Sequence, residues 1–152
     1  MEKTRWGILG TGRIANEFAE GLSAVESAEL VAVGSRSQAS ADRFGDEWQV
    51  ARRHPCYEAL AMDEDVDIIY ISTPHTFHRD NAMCCLKAGR NVLCEKPFAI
   101  NAEESAELIN FARASDLFIM EAMWTRYLPL YVKLREVLAE GRIGDPRLMH
   151  AT

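Results

Sequence analysis

The sequence predicts an α/β protein with a doubly wound parallel sheet. Three observations carry that prediction. Short apolar runs alternate with amphipathic helical stretches from one end of the chain to the other. The run Val66-Asp67-Ile68-Ile69-Tyr70-Ile71 is nearly continuous in apolar character, as in a strand covered on both faces. A glycine-rich turn, Gly10-Thr11-Gly12-Arg13-Ile14-Ala15, joins the first apolar run to the first helix.

Each element follows from local pattern. Residues 4–9 read as a first strand, and residues 13–22 as a helix carrying Ile14, Ala15, Phe18, Ala19 and Leu22 on one face. Residues 28–33 form a second strand, ended by Gly34-Ser35-Arg36-Ser37, and a polar helix is expected over 40–48. A weak edge strand near 51–53 and a short helix over 57–62 come next. The apolar run 66–71 is the fourth strand and ends in Ser72-Thr73-Pro74-His75. A helix over 77–88 stops at Gly89, and the strand Asn91-Val92-Leu93-Cys94 runs into Glu95-Lys96-Pro97. Asn101 followed three residues later by Glu104 starts a helix running to 114, and 117–120 is a sixth strand. Tyr127, Leu130, Tyr131, Leu134, Val137 and Leu138 repeat at helical spacing on a last helix ended by Gly141. Residues 148–152 read as the beginning of one more strand. The expected division is a nucleotide-binding domain over 1–122 and a connecting helix with a first strand over 123–152.

Bulk properties bound the function. A chain of 152 residues suffices for one sizeable core, and 48% hydrophobic with 26% charged residues is an ordinary globular composition. A net charge of −6 lacks the basic face of a nucleic-acid binder, so no nucleic-acid partner is expected. No apolar stretch is long enough to cross a bilayer and the first residues lack a signal-peptide core, so no membrane partner and a cytoplasmic location are expected. Cys56, Cys84, Cys85 and Cys94 show no metal-ligand spacing and read as reduced thiols. His75 and His78 lie three apart but have no cysteine or acid at ligand spacing, so no metal site is expected; His78 reads as a helix-start histidine holding a loop.

Residues 10–15 match G-x-G-x-x-[GA] between a strand and a helix. The first glycine permits the tight turn and the second lets backbone approach a pyrophosphate. Ala15 lets the helix pack closely, and free helix N–H groups meet the anion. A plain strand-to-helix turn is the bland alternative. Where an NAD-type site places an acid at the end of the second strand, this chain has Ser35-Arg36 and no acid until Asp42. A hydroxyl and a guanidinium suit a 2′-phosphate, which favours NADP over NAD; a solvated surface arginine is the other reading of Arg36. In the strand order 3-2-1-4-5-6 the ends of strands 1, 4 and 5 meet at the switch point. Those ends carry residues 10–15, Thr73-Pro74-His75 and Glu95-Lys96-Pro97. Lys96 is placed to hydrogen-bond a substrate oxygen and assist proton transfer as a hydride moves, or else to pair with Glu95. Trp124 and Arg126 read either as an aromatic and cationic wall over a nicotinamide ring or as a core tryptophan beside a surface arginine.

Residues 10–15, Thr73-Pro74 with His78, and Glu95-Lys96-Pro97 together resemble the Gfo/Idh/MocA oxidoreductases over essentially the whole chain. Residues 121–129 resemble the branch holding dimeric dihydrodiol dehydrogenase and NADP-dependent D-xylose dehydrogenase. The resemblance implies a Rossmann domain followed by an α/β substrate domain that builds the pocket and an oligomer interface, hence a homo-oligomer. It implies that Lys96 works with a tyrosine or histidine of that second domain, on a sugar or diol substrate. Carried over residue by residue, the cofactor contacts are Gly10, Thr11, Gly12, Arg13, Ile14, Ser35, Arg36, Thr73, Pro74, His75, His78, Glu95, Lys96, Trp124 and Arg126. Members often have asparagine where this chain has His75. The chain is expected to be the cofactor-binding half of such an enzyme, binding cofactor with little or no turnover, or a non-enzymatic NADP-sensing module.

Overall fold

The computed structural model describes residues 3–150. Residues 1–122 and 123–152 form two separate units. In the first, six strands make one parallel sheet: β1 (Thr4–Leu9), β2 (Ala28–Gly34), β3 (Arg52–His54), β4 (Ile68–Ile71), β5 (Asn91–Cys94) and β6 (Ile119–Glu121), in the order β3-β2-β1-β4-β5-β6. The expected doubly wound fold is present, with the reversal of strand order between β1 and β4. Five helices connect the strands: α1 (Arg13–Ser23), α2 (Gln38–Trp48), α3 (Tyr57–Ala61), α4 (His78–Lys87) and α5 (Ala102–Ala114).

Strand alternation sorts the apolar residues onto two faces. Leu9, Ala32, Ile69, Ile71, Val92 and Cys94 pack with Leu60, Leu86, Leu108 and Ala112 from α3, α4 and α5. Their strand neighbours Ile8, Val33 and Tyr70 point the other way, onto Ala15, Ala19, Ala41 and Phe44 from α1 and α2. The near-continuous apolar run at β4 is therefore explained, since each face has its own helices. Small residues along α1, Ala15 and Ala19, let that helix lie close to the sheet.

Boundaries shifted where turn chemistry outweighs apolar pattern. Helix α2 starts at Gln38, because the Ser37 hydroxyl accepts from the Ser40 N–H and caps the helix earlier than hydropathy suggests. Strand β4 starts at Ile68, since the Val66 N–H turns back onto the Asp63 carbonyl. Asn101 Oδ1 accepts from the Glu104 N–H at 2.8 Å as a cap should, while Glu104 reaches back to Ile100 rather than to Asn101. Gly89, at φ +77°, closes α4 in the expected way: its N–H meets the Leu86 carbonyl and that of Arg90 meets Cys85.

The second unit holds a 3₁₀ turn, Trp124–Tyr127, and α6 (Pro129–Ala139), which opens on a proline at its first turn. The apolar stripe of the last helix is there, but Tyr127, Leu130, Tyr131, Leu134 and Leu138 are exposed. The new strand expected from residue 148 is not formed by residues 147–150, which make no ladder bonds; a strand needs a neighbour to pair with. Ala151 and Thr152 of that expectation lie outside the described residues.

Candidate functional site

The carboxyl ends of β1, β2 and β4 open onto a cavity of about 800 Å³. It is lined by the turn residues Gly10, Thr11 and Gly12, by Ser35, Arg36, Ser37 and Ser40 beyond β2, by Tyr57, and by Ser72, Thr73 and Pro74 beyond β4. All of these belong to the first unit.

The turn is shaped for a ligand as much as for the fold. Gly10 sits at φ +106°, its N–H bonds the Gly34 carbonyl at 2.9 Å, and a Cβ there would fall 2.8 Å from Ser72 Oγ. The protein itself needs glycine at that position. Gly12 is different: its φ of −83° suits any residue, and a Cβ would meet nothing within 4 Å. Open space lies in front of Gly12. No side chain caps α1, so the first N–H groups of that helix stay available to an anion. Arg13 lies along the helix surface and pairs with Glu17, while Ile14 packs partly into the core. What these two residues offer the crevice is backbone.

Beyond β2, Ser35 is buried, its hydroxyl 3.3 Å from Thr11 Oγ1. Arg36 is exposed and makes no ion pair among the described residues. It acts on the Tyr57 phenol, whose pKa is raised by burial first and drawn back by the Arg36 charge. No carboxylate lines the cavity. Sequence reasoning misses Ser37, Ser40, Tyr57 and Ser72, since single hydroxyls in turns and at helix starts carry no signal until the fold gathers them.

At the ends of β4 and β5 the polar groups serve one another. Thr73 is buried, its hydroxyl accepting from Asn81 Nδ2 at 2.9 Å. Pro74 and His75 are exposed at the start of a 3₁₀ turn, His75–Phe77. His78 is 1% exposed; its Nε2 lies 2.8 Å from the Thr73 carbonyl and its Nδ1 2.8 Å from that of Pro97. Its ring therefore reaches the protein and not the open crevice. The Glu95 carboxylate accepts from Tyr70 Oη at 2.7 Å through one oxygen and from the Lys96 N–H at 3.0 Å through the other. Burial, helped by that bond to Glu95, pushes the Tyr70 phenol far up, so it stays a donor. Lys96 precedes a cis proline and is exposed; its ammonium forms no ion pair with Glu95 or any other described acid. Phe98 N–H donates to Glu121 Oε1 at 2.9 Å.

Trp124 and Arg126 belong to the second unit, where both are exposed in its 3₁₀ turn; the Arg126 carbonyl accepts from Arg135. Among the described residues no group of three histidines, cysteines or acids is placed to hold a metal. No described helix is long and apolar enough to cross a membrane.

A parallel sheet of order 3-2-1-4-5-6 with a glycine turn at its switch point defines a dinucleotide-binding domain. The chain belongs to the Gfo/Idh/MocA oxidoreductase family: residues 4–123 match the model of that family's NAD-binding Rossmann fold. It is similar to trans-1,2-dihydrobenzene-1,2-diol dehydrogenases, 41% identical to that of Xenopus laevis over 97% of this chain and 46% of that protein. For the Mus musculus enzyme the figures are 43%, 97% and 45%. Among solved structures it resembles a 3-ketoreductase from Actinomadura kijaniata in complex with NADP, at a TM-score of 0.86 and 30% identity, covering 95% of this chain and 46% of that one. The chain thus spans a little under half the length of the relatives it matches.

Proposed function

We propose that the chain is the cofactor-binding domain of an NADP-dependent oxidoreductase that moves a hydride between nicotinamide and a secondary alcohol or hemiacetal carbon of a diol or sugar. The observation that carries the cofactor choice is the end of β2. Arg36 without an ion pair, the hydroxyls of Ser35, Ser37 and Ser40, and the lack of any lining carboxylate suit a 2′-phosphate and leave a ribose 2′-hydroxyl without an acidic acceptor. The pyrophosphate falls to the residue 10–12 turn, where the open space in front of Gly12 and the uncapped start of α1 fit it. The diol or sugar substrate follows the dihydrodiol dehydrogenases that this chain resembles.

When bound, the nicotinamide supplies or accepts the hydride. The chain's own part is to hold a proton at the reacting oxygen, and Lys96 is the residue given that task. Its ammonium carries a transferable proton and has no carboxylate partner among the described residues. Thr73, Pro74, His75 and Glu95 form the rest of the nicotinamide side of the site. This stretch of chain binds NADPH with little or no turnover, the catalytic partner of Lys96 and the oligomer interface being supplied by the family's substrate domain. A regulatory NADP-binding module is the second reading, since cofactor binding without turnover is all that such a role requires.

Fluorescence titration tests the cofactor assignment. NADPH is expected to bind at least tenfold tighter than NADH; tighter NADH would overturn the roles of Ser35 and Arg36.

A further inference from the structure

Lys96 stands in a loop with polar groups on either side bonded to the protein. On its amino side, Glu95 is fixed by Tyr70 Oη and in turn accepts the Lys96 N–H. On its carboxyl side, the Pro97 carbonyl faces His78 Nδ1 and the Phe98 N–H donates to Glu121. These anchors come from three different elements: Tyr70 from β4, His78 from α4 and Glu121 from β6.

The anchors are themselves rigid. Tyr70 is 2% exposed, and its ring stacks on Phe18 of α1 with centroids 3.7 Å apart and planes 13° from parallel. A buried tyrosine in an otherwise aliphatic strand must place its hydroxyl somewhere, and Glu95 is where it goes. His78 is fully enclosed, and its two nitrogens lie 2.8 Å from the carbonyls of Thr73 and Pro97. Glu121 ends β6, directly beside the end of β5. None of the three side chains lines the crevice.

We infer that Tyr70, His78 and Glu121 are positioning residues that clamp the loop 95–98 and aim the Lys96 side chain from a fixed backbone. Tyr70 is the chief of them, because it acts through Glu95 on the Lys96 amide itself and, by its stack on Phe18, ties that loop to the helix that follows the glycine turn. The clamp is made of the chain's own hydrogen bonds. That it serves proton transfer rests on the oxidoreductase reading above.

The test is Tyr70→Phe in the 152-residue chain, which keeps the ring, the stack and the core volume and deletes only the hydroxyl. The readout is the ¹⁵N relaxation order parameter of the Lys96 amide, with hydrogen exchange of the core amides of Ile8 and Leu86 as the control for stability. In the unaltered chain Lys96 should show the value of rigid backbone, about 0.85, and in the variant it should fall towards about 0.6 while the core amides stay within threefold. Glu95→Ala should do the same, because it removes the acceptor of the Lys96 N–H, and adding Tyr70→Phe to it should change nothing more. An unchanged Lys96 amide in Tyr70→Phe, or independent effects of the two substitutions, would overturn the clamp. So would loosening of Lys96 only in step with every core amide. NADPH titration of the unaltered chain is a separate arm: failure to bind sinks the proposed function, whereas the relaxation data judge the clamp alone. Where turnover is measured, Tyr70→Phe should lower kcat about tenfold with KM within twofold, and Tyr70→Phe with full kcat would remove the clamp from the chemistry.

Discussion

The two halves of the sheet's carboxyl edge treat polar groups in opposite ways. Beyond β1 and β2 the hydroxyls of Ser35 and Ser37 meet Thr11 and the start of α2, yet other groups are left for a visitor: Gly12 faces open space, α1 is uncapped, and Arg36 has no acidic partner among the described residues. Beyond β4 and β5 they are used internally, on Thr73, Glu95, Pro97 and Phe98, until the Lys96 ammonium stands apart. A binding half can be loose, because the ligand completes its hydrogen bonds. A half that aims a proton must be fixed in advance, since an unanchored lysine samples many rotamers. The proposed function asks for one half of each kind, built on strands that end side by side at a switch point.

That contrast can be broken from either side. The largest effect belongs to Lys96→Met: wherever turnover of a diol or sugar is measured, kcat should drop about 10²- to 10⁴-fold with NADPH affinity within threefold. Full turnover in that variant would remove Lys96 from the chemistry. In the other half, Gly12→Val should weaken NADPH by about 100-fold while the melting temperature moves less than about 2 °C, because the fold has room for the side chain and the ligand does not. A large drop in melting temperature would mean that Gly12 serves the fold after all. Arg36→Ala should weaken NADPH about tenfold, in line with one charge-assisted hydrogen bond of about 1.5 kcal/mol, and leave NADH within twofold. Equal loss of both cofactors would return Arg36 to the role of a surface residue.

The smallest effect lies at the opposite edge of the sheet, where neither half should respond. Asp67 accepts from the Arg5 side chain and its N–H, and that bond holds its carboxyl below the ordinary value of 3.8. A depressed folded-state pKa stabilises the protein above 3.8 and loses that stabilisation as the pH falls below it, through the lower folded value. The carboxyl is partly exposed, its side chain 38% accessible, so Asp67→Asn should cost under about 1 kcal/mol at pH 7, a difference that vanishes in acid, with NADPH binding unchanged. Urea unfolding at pH 7 and pH 2.5 measures it; an equal cost at both values would exclude the charge as its source.

Much of this was legible without coordinates. The alternation of strands and helices and the glycine turn follow from periodicity and short-range steric rules, which a linear sequence records directly, and the strand order came with the fold class they define. Lys96 could be singled out because an acid, a lysine and a proline at a strand end are unusual together. Less legible were the residues that act by arriving from elsewhere. Ser37, Ser40 and Ser72 carry no individual signal. Tyr70 did carry one, a phenol amid aliphatic residues, but its partner Glu95 is twenty-five positions away and only the β4 and β5 register joins them. Glu95 itself read as a cofactor contact or a partner for the lysine ammonium, while its carboxylate is occupied by Tyr70 and the Lys96 amide.

The sequence by itself determined the doubly wound sheet, the phosphate turn and the presence of a lysine at the switch point, because periodicity and turn chemistry are local. Only the tertiary structure decided that Gly12 is spare to the fold and that the polar groups around Lys96 are bound to the protein. Those facts depend on which atoms lie within a few ångströms across neighbouring strands and helices, and residue order does not state such distances.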